Sequence, residues 1–338
     1  MILVSGATGF LGAHMVCKLL QQGRKVRAMK RSTSSPDEFN LIYANYFDTS
    51  ANVSDKLEWT EADVMDIPSL SEAFHGVTEV YHCAAVVSFH QSDKEMMYRV
   101  NVEGTANMVN AALEHKISQF CHVSSIAAIG RSGKNTPITE QTAWVTSKYN
   151  SNYAISKYKA ELEVWRAAEE GLPVVIVNPG VIIGVGKWNR GTCALFKMVW
   201  DGLPFYTLGV NGYVDVRDVT QAMCLLMENK CFHERYILVG HNVENRQFMF
   251  SVADLMKKRK PYIRINKPLA ELAWILYAIW GFITRRQPKI TRETARASQN
   301  KYWYSSEKIT KQLAFNFTPI NETFTYICHQ FLKQHHYD

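Results

Sequence analysis

The stretch SGATGFLGAH, residues 5–14, places Gly6, Gly9 and Gly12 at regular intervals of three. The apolar run MILV comes directly before it, and the amphipathic sequence LGAHMVCKLLQQG begins inside it at Leu11. Glycines between a strand and a helix permit a tight turn, let backbone N–H groups approach a pyrophosphate, and allow the helix to pack closely on the strand. The stretch therefore predicts a dinucleotide-binding turn at the end of the first strand.

Short β-branched runs alternate with helical patterns through the first half of the chain, from MILVSG to PVVIVNPG. Such alternation is typical of a parallel sheet covered by helices on both faces. From Gly184 onward, loops rich in Pro, Gly and aromatic residues separate short helices, and RYILVG is one late strand candidate. We expect an α/β fold, a Rossmann-type doubly wound parallel sheet. Residues 1–180 would form the dinucleotide-binding domain, and residues 181–338 a smaller, mostly helical substrate-binding region interleaved with it.

The composition is that of a globular protein. The 338 residues are 47% hydrophobic, and 38 Lys and Arg against 31 Asp and Glu give a modest formal charge of +7. This balance favours small anionic ligands and gives little support to nucleic-acid binding. The seven cysteines form no Cys-x-x-Cys pair, a pattern that suits reduced thiols in the cytoplasm. The N-terminus has neither the basic segment nor the apolar length of a signal peptide.

Two further segments carry their own predictions. The sequence PLAELAWILYAIWGFITRR, residues 268–286, falls just short of a bilayer crossing. We expect a buried or substrate-lining helix there, with a helix on a membrane surface as the alternative. The polar and aromatic insertion at residues 32–56 predicts a short helix with flanking loops at the cofactor end of the sheet.

The end of the second strand bears on which dinucleotide binds. A carboxylate about 20 residues after the glycines would accept the ribose 2′-hydroxyl of NAD. Here Lys30, Arg31 and Ser32 stand instead. Two cations and a hydroxyl favour the 2′-phosphate of NADP. NAD remains open, because Lys30 and Arg31 are also interpretable as solvated charges at a strand end.

Ser125, Tyr153 and Lys157 form a candidate catalytic set. Ser125 ends the strand QFCHVSS at the carboxyl edge, where ligands lie in open parallel sheets. Tyr153 and Lys157 are one helical turn apart, so both can face one oxygen atom. A free tyrosine has a pKa of about 10, and we expect the Lys157 cation to lower it toward neutral pH. Tyr153 would then exchange a proton with a carbonyl or alcohol oxygen while Ser125 fixes that oxygen.

Seven motifs in this order resemble the extended short-chain dehydrogenase/reductase family. They are GATGFLG, HCAAVVS, NVEGTANMVNAA, HVSSIAAIG, YAISK, VNPGVIIG and YVDVRDV. The resemblance covers about residues 1–220 well and the remainder loosely. The family's serine stands five residues before the glycine of the strand-end motif, Gly130 here, which selects Ser125 over Ser124.

The resemblance implies a role for each matching residue. Ser125, Tyr153 and Lys157 would act in catalysis, and Asn101 would be the family's structural or proton-relay asparagine. The residues implied at the cofactor are Gly6, Thr8, Gly9, Phe10, Leu11, Gly12, Lys30, Arg31, Asp63, Val64, Ala84, Ala85, Tyr153, Lys157, Pro179 and Val181. Alternatives stay open for two of them: Asp63 as an ordinary loop acid, and Asn101 as a helix cap.

Within the family, two departures favour reductases similar to dihydroflavonol reductase and the 3-beta-hydroxysteroid dehydrogenases. Ile126 and Ala127 replace the Asp-Glu pair of the dehydratases, and Asn211 stands where epimerases commonly carry an arginine. We expect an enzyme that interconverts a carbonyl and a secondary alcohol. A nucleotide-sugar epimerase and a non-catalytic cofactor-sensing protein remain as alternatives.

We expect His82 to pack at a strand end, and we assign no metal site because the other histidines lack ligand company. Trp144 and Trp188 either line the substrate pocket or belong to the core. The aromatic second half, including Trp274 and Trp280, is compatible with a bulky apolar substrate. The family resemblance also suggests a homodimer formed through helices near 96–115 and 151–170.

Overall fold

The computed structural model describes residues 1–47, 54–131, 136–147, 150–284 and 291–335. The strands, in chain order, are β1 (Ile2–Ser5), β2 (Val26–Lys30), β3 (Leu57–Glu61), β4 (Glu79–His82), β5 (Gln119–Val123), β6 (Val174–Pro179), β7 (Val181–Ile183), β8 (Phe205–Tyr206), β9 (Val210–Asp215), β10 (Glu234–Leu238), β11 (His241–Glu244) and β12 (Ile263–Arg264).

The α-helices alternate with these strands through the first half and dominate the C-terminal part. They are α1 (Phe10–Gln21), α2 (Asp37–Tyr46), α3 (Ile67–Ala73), α4 (Lys94–Tyr98), α5 (Gly104–Glu114), α6 (Asn152–Glu169), α7 (Cys193–Trp200), α8 (Val216–Glu228), α9 (Asn245–Leu255), α10 (Lys267–Thr284), α11 (Arg292–Ala297), α12 (Glu307–Leu313) and α13 (Ile320–His335). A π-helical turn, Arg99–Glu103, joins α4 to α5.

The main sheet has seven parallel strands among the described residues, in the order β10-β6-β5-β4-β1-β2-β3. Its order reverses beside β1, so β1 and β4 lie at the switch point where open α/β sheets bind ligands. All six residues of β6 are buried, because helices cover both faces of the sheet. The predicted doubly wound parallel sheet is confirmed.

The second half of the chain contributes to the same sheet. The late strand candidate forms β10, which pairs in parallel with β6 from Glu234 to Leu238. Two small sheets, β11-β9-β7 and β12-β8, are formed by strands that follow β6 in the chain. The domain boundary at residue 180 stays a prediction from the sequence. Strands from both sides of it, β6 and β10, pair directly.

The insertion at residues 32–56 contains α2, as predicted, and a 3₁₀ turn at Ser54–Lys56. Residues 48–53 of the insertion lie outside the described residues. Phe39 and Ile42 bury the inner face of α2, and the Phe39 ring meets the edge of Trp59 from β3. The insertion is thereby attached to the edge of the sheet where β2 and β3 end.

Helix α10 contains the described part of the apolar segment 268–286. It is not buried along its length: Leu272 and Leu276 are 52% and 57% exposed. The expectation of a buried helix is therefore wrong for this face of α10, although Trp274 on another face lines the cleft described below. Within the described residues, no helix combines the length and hydropathy needed to span a bilayer.

Candidate active site

The glycine turn between β1 and α1 is packed so tightly that two of its glycines admit no side chain. Gly6 has φ +67°, and a Cβ there would lie 2.8 Å from the backbone of Ala84. A Cβ on Gly12 would lie 2.1 Å from the carbonyl oxygen of Gly6. The backbone of the turn therefore forms the floor of the cleft directly, as close approach of a pyrophosphate requires.

Helix α1 begins at this turn and points its N-terminus into the cleft. Gly9 is its N-cap, with no side-chain hydrogen bond to the first turn and no acidic residue nearby on the helix. The helix dipole and the backbone N–H groups there favour an anion. Thr8, Phe10 and Leu11 line the same part of the cleft. The turn fits a dinucleotide phosphate through its backbone rather than through charged side chains.

Lys30 and Arg31 lie on the cleft wall where β2 ends. Among the described residues neither forms an ion pair, and Arg31 is exposed. Asp63 and Val64, after β3, complete this wall. The Asp63 carboxylate accepts a hydrogen bond of 2.9 Å from the Met65 amide, so part of its role is to shape its own loop.

The opposite wall of the cleft comes from strands on the other side of the switch point. Ala84 and Ala85 follow β4, and Pro179 and Val181 flank the junction of β6 and β7. The Ala84 amide donates to Ser5 Oγ at 3.2 Å, which ties this wall to β1. The structure thus brings the predicted cofactor residues to a single cleft.

Ser124 and Ser125 point in different directions. Ser124 Oγ is buried and donates to the Glu161 carboxylate at 2.7 Å. Ser125 lines the cleft, and its Oγ accepts the Ala127 amide at 3.1 Å. Tyr153 lines the same cleft. The choice of Ser125 over Ser124 as the cleft hydroxyl agrees with this geometry.

Tyr153 and Lys157 lie on the face of α6 that meets the cleft. Burial raises the pKa of Tyr153, and the nearby Ser125 side chain opposes that rise. The expected downward shift caused by Lys157 is wrong for this geometry. The Lys157 ammonium instead donates to the Val123 carbonyl at 2.7 Å. Tyr153 is therefore a neutral phenol, ready to donate a proton.

Lys157 is 2% exposed, so its ammonium has lost nearly all contact with water. Burial lowers the pKa of Lys157 to about 8, while the nearby Glu161 carboxylate raises it. A lysine with this pKa loses its proton in a range where enzymes are assayed. The charge at the base of the site is thus sensitive to mildly alkaline pH.

Asn101 lies beneath the site in the π-helical turn. Its side chain accepts the Val86 amide at 2.7 Å, donates to the Val86 carbonyl at 2.9 Å and donates to Ser156 Oγ at 3.0 Å. These contacts occupy the whole amide and join the loop after β4 to α6. They agree with the structural role that the family resemblance offers, and the position inside a helical segment disagrees with a helix cap.

Two buried histidines lie behind the cleft. His82 is bonded to Ser5 Oγ at 2.7 Å and to Thr105 Oγ1 at 3.0 Å, and burial lowers its pKa to about 3. The neighbouring His122 also has its pKa lowered by burial. His82 therefore packs as a neutral side chain, as expected. Among the described residues, no group of three His, Cys, Asp or Glu side chains is placed to hold a metal ion.

The cleft continues past Tyr153 into a wider half that the C-terminal region covers. The whole cleft, with the glycine turn included, has a volume of about 1530 Å³. The lining there includes Val87, Phe89, Arg131, Leu195, Asn211, Trp274, Tyr302 and Tyr304. The Phe89 ring meets the edge of Tyr153 at 6.1 Å between centroids. This half offers aromatic and aliphatic surface beside the candidate acid.

The sequence left open whether Trp144 and Trp188 line the pocket or belong to the core, and the structure places the two differently. Trp188 is 8% exposed and donates to Gln334 at 2.6 Å, so it belongs to the core. Trp144 stacks on Tyr158 at 4.4 Å and lines a smaller cavity of about 580 Å³ beside the main cleft. Tyr158 accordingly packs away from the catalytic set.

Sequence reasoning missed two groups at the site. The Arg131 guanidinium lies 4.6 Å from the centre of the Tyr302 ring in the wide half of the cleft. Arg131 directly follows the motif HVSSIAAIG, so the sequence could have indicated its position at the site. No local sequence pattern indicates Tyr302. The second group is Glu161, which is 2% exposed and pairs with Arg235 at 3.1 Å. Its position four residues after Lys157, on the same helix face, was a usable signal.

Comparison with known proteins agrees with this geometry. A dihydroflavonol 4-reductase-like protein of Synechocystis sp. is 28% identical, and the alignment covers 97% of this chain and 93% of that protein. Cinnamoyl-CoA reductase 1 of Petunia hybrida is 27% identical over 95% of this chain and 89% of that enzyme.

A solved structure shares the fold at low identity. The dTDP-glucose 4,6-dehydratase of Streptomyces venezuelae, determined with NAD bound, superposes with a TM-score of 0.79 at 17% identity, covering 99% of this chain and 98% of that one. The sequence pattern of the NAD dependent epimerase/dehydratase family matches residues 2–240. With its glycine turn, switch-point cleft and Ser-Tyr-Lys set, the chain belongs to the NAD-dependent epimerase/dehydratase family of NAD(P)-dependent enzymes.

Proposed function

We propose that this protein is an NADP(H)-preferring oxidoreductase that interconverts a carbonyl and a secondary alcohol. The observation that carries the proposal is the placement of Ser125, Tyr153 and Lys157 on one cleft that the glycine turn also lines. A neutral phenol beside a hydroxyl suits one oxygen atom that must be held and protonated. The relatives named for reductases support the same chemistry.

The residues of the cleft fit a nicotinamide dinucleotide. The backbone of the turn at Gly6, Gly9 and Gly12 would hold the pyrophosphate, and Lys30 and Arg31 would pair with a 2′-phosphate. Bound NADP(H) supplies or accepts the hydride. The preference for NADP is supported by the two unpaired cations at the end of β2 among the described residues.

Tyr153 would act as the acid in the reductive direction. Ser125 holds the substrate oxygen by hydrogen bonding, and Tyr153 donates its proton to that oxygen. Lys157, one turn further along α6, lines the same cleft and carries a positive charge at neutral pH. In the oxidative direction the phenolate accepts the proton from the alcohol. The assembled set argues against a non-catalytic cofactor sensor.

The wide half of the cleft suits a bulky, largely apolar carbonyl compound. Phe89, Trp274 and Tyr302 provide aromatic surface, and Arg131 provides a cation that can meet a polar substituent. The epimerase alternative is less well supported. Asn211, at the position where epimerases commonly carry an arginine, is neutral and donates to Asn245 at 2.8 Å.

We also propose that the chain forms a homodimer through α5 and α6. Arg166 of α6 donates to Asn110 of α5 at 2.7 Å, so the two helices form one surface. Met96 of α4, just before α5 in the chain, and Leu162 of α6 are each 47% exposed. Their apolar side chains would be covered in a dimer.

The direct test of the reaction is turnover of a substrate panel. We expect the purified protein to oxidise NADPH with bulky aromatic or alicyclic ketones and aldehydes, in a stoichiometry of one cofactor per alcohol formed. NADPH consumption at 340 nm and product chromatography provide the measurement. Reaction with sugar nucleotides alone, without net cofactor turnover, would show an epimerase instead.

Cofactor preference is tested by the substitution Arg31→Asp. Loss of a charge-assisted hydrogen bond should weaken NADPH binding by about tenfold or more and leave NADH nearly unchanged. Dissociation constants for both cofactors give the comparison. Lys25→Asp, an exposed residue just before the amino end of the same strand, is the matched control. Equal weakening of NADPH and NADH by Arg31→Asp argues against contact with a 2′-phosphate.

The pKa of Lys157 predicts the alkaline limit of activity. Because this pKa is about 8, kcat/KM for reduction should fall as pH rises through 8, where the ammonium loses its proton. Above that pH the unfolded chain binds the proton more strongly than the folded protein, so this group also makes the free energy of unfolding rise toward pH 10. A profile of kcat/KM between pH 6 and pH 10 tests the predicted fall in activity. Activity that stays flat to pH 10 contradicts the assignment of Lys157.

A further inference from the structure

The outer face of α10 is apolar and exposed. Leu269, Leu272, Leu276 and Trp280 follow its centre at spacings of three and four residues, and Ile275 and Tyr277 stand at its two edges. In chain order, the exposed fractions of these six side chains are 44, 52, 41, 57, 38 and 44%. We call these six residues the α10 face. Soluble proteins seldom leave so many large apolar side chains together in water. The α10 face therefore needs a partner.

The opposite side of α10 shows that the helix is held in place by the protein. Ala270 is 6% exposed, and Trp274 donates to Glu271 and lies 5.7 Å from the Arg292 guanidinium of α11. The Leu269 amide is capped by Asn266 at 3.1 Å. The α10 face is thus presented outward by a fixed helix.

The basic charge of the chain is concentrated in the stretch of sequence that contains α10. Residues 257–289 contain nine Lys and Arg and one acidic residue, Glu271. This segment has a net charge of +8, against +7 for the whole chain, so the rest of the protein, with 29 basic and 30 acidic residues, is almost neutral. The described cations before the helix are mostly exposed: Lys257, Arg259, Lys260, Arg264 and Lys267.

This charge decides between the partners that an apolar helix face can have. A second copy of the chain would bring two such cationic segments together, and their repulsion opposes that contact. A membrane with anionic lipid meets both features at once. Lys and Arg lie at the headgroups, while Leu, Ile and Trp enter the boundary of the acyl chains.

We propose that the α10 face and the basic segment before it bind the surface of a membrane that contains anionic phospholipid, with α10 lying in the plane of the interface. The helix does not cross the bilayer, in accord with the absence of a spanning helix among the described residues. Two additional exposed apolar residues, Tyr262 (58%) and Ile263 (38%), lie between the cations just before α10 and extend the same pattern. The binding does not depend on the proposed catalytic function.

The test is flotation of the full chain with vesicles. We expect the protein to float with phosphatidylcholine vesicles that contain about a third phosphatidylglycerol, and several-fold less with pure phosphatidylcholine, since each cation near the surface contributes about fivefold in affinity. Flotation should weaken as salt is raised.

Two double variants separate the apolar and electrostatic parts. Leu272→Ser with Leu276→Ser should reduce flotation by about tenfold or more, because two large apolar side chains no longer enter the lipid. Lys257→Glu with Lys267→Glu should remove the preference for phosphatidylglycerol. The matched controls are Ile67→Ser, at a residue 62% exposed elsewhere, and Lys311→Glu, at an exposed cation in α12. Thermal unfolding and NADPH binding check that every variant is folded.

Failure of the wild-type protein to float with phosphatidylglycerol vesicles overturns the proposal. Unchanged flotation of the leucine variant overturns it as well. If the wild-type protein does not float and the leucine variant forms a smaller oligomer in sedimentation, the α10 face is a contact between copies of this chain.

Discussion

One buried carboxylate, that of Glu161, holds together the elements from which the active site is built. It accepts hydrogen bonds from Ser124 at 2.7 Å and Asn178 at 3.0 Å, and it pairs with Arg235 of β10 at 3.1 Å. Asn178 also donates to the Ser125 carbonyl, so the position of the cleft hydroxyl depends on the same network. Removing one partner of such a buried pair typically costs about 3–5 kcal/mol, because the remaining charge stays desolvated.

Glu161 also influences the charge of the site. Burial alone disfavours the Lys157 ammonium, and the Glu161 carboxylate one turn further along α6 partly restores it. The resulting balance leaves a lysine that is charged at neutral pH but close to losing its proton. Tyr153, raised in pKa by the same burial, remains a proton donor. The cleft thus keeps an acid and a cation side by side without a direct bond between them.

Local sequence patterns were sufficient for the sheet and the glycine turn, because each depends on residues close together in the chain, such as Gly6 and Gly12 in one turn. The choice of Ser125 over Ser124 came instead from the family resemblance. The direction of the Tyr153 pKa shift and the Arg235 partner of Glu161 depend on burial and on contacts between distant segments, which spacing does not reveal. For segment 268–286 the sequence left a surface helix only as the alternative to a buried one, since an apolar helix has the same sequence whether tertiary packing covers it or not.

We propose that the Tyr153 phenol transfers the proton when hydride reaches a carbonyl carbon. Single-turnover oxidation of bound NADPH by a ketone substrate tests this in Tyr153→Phe, with Tyr158→Phe as the matched variant on the same helix. We expect Tyr153→Phe to slow the chemical step by about a thousandfold or more with NADPH affinity almost unchanged, and Tyr158→Phe to react like the wild-type protein. Near-normal oxidation of NADPH by Tyr153→Phe would contradict it.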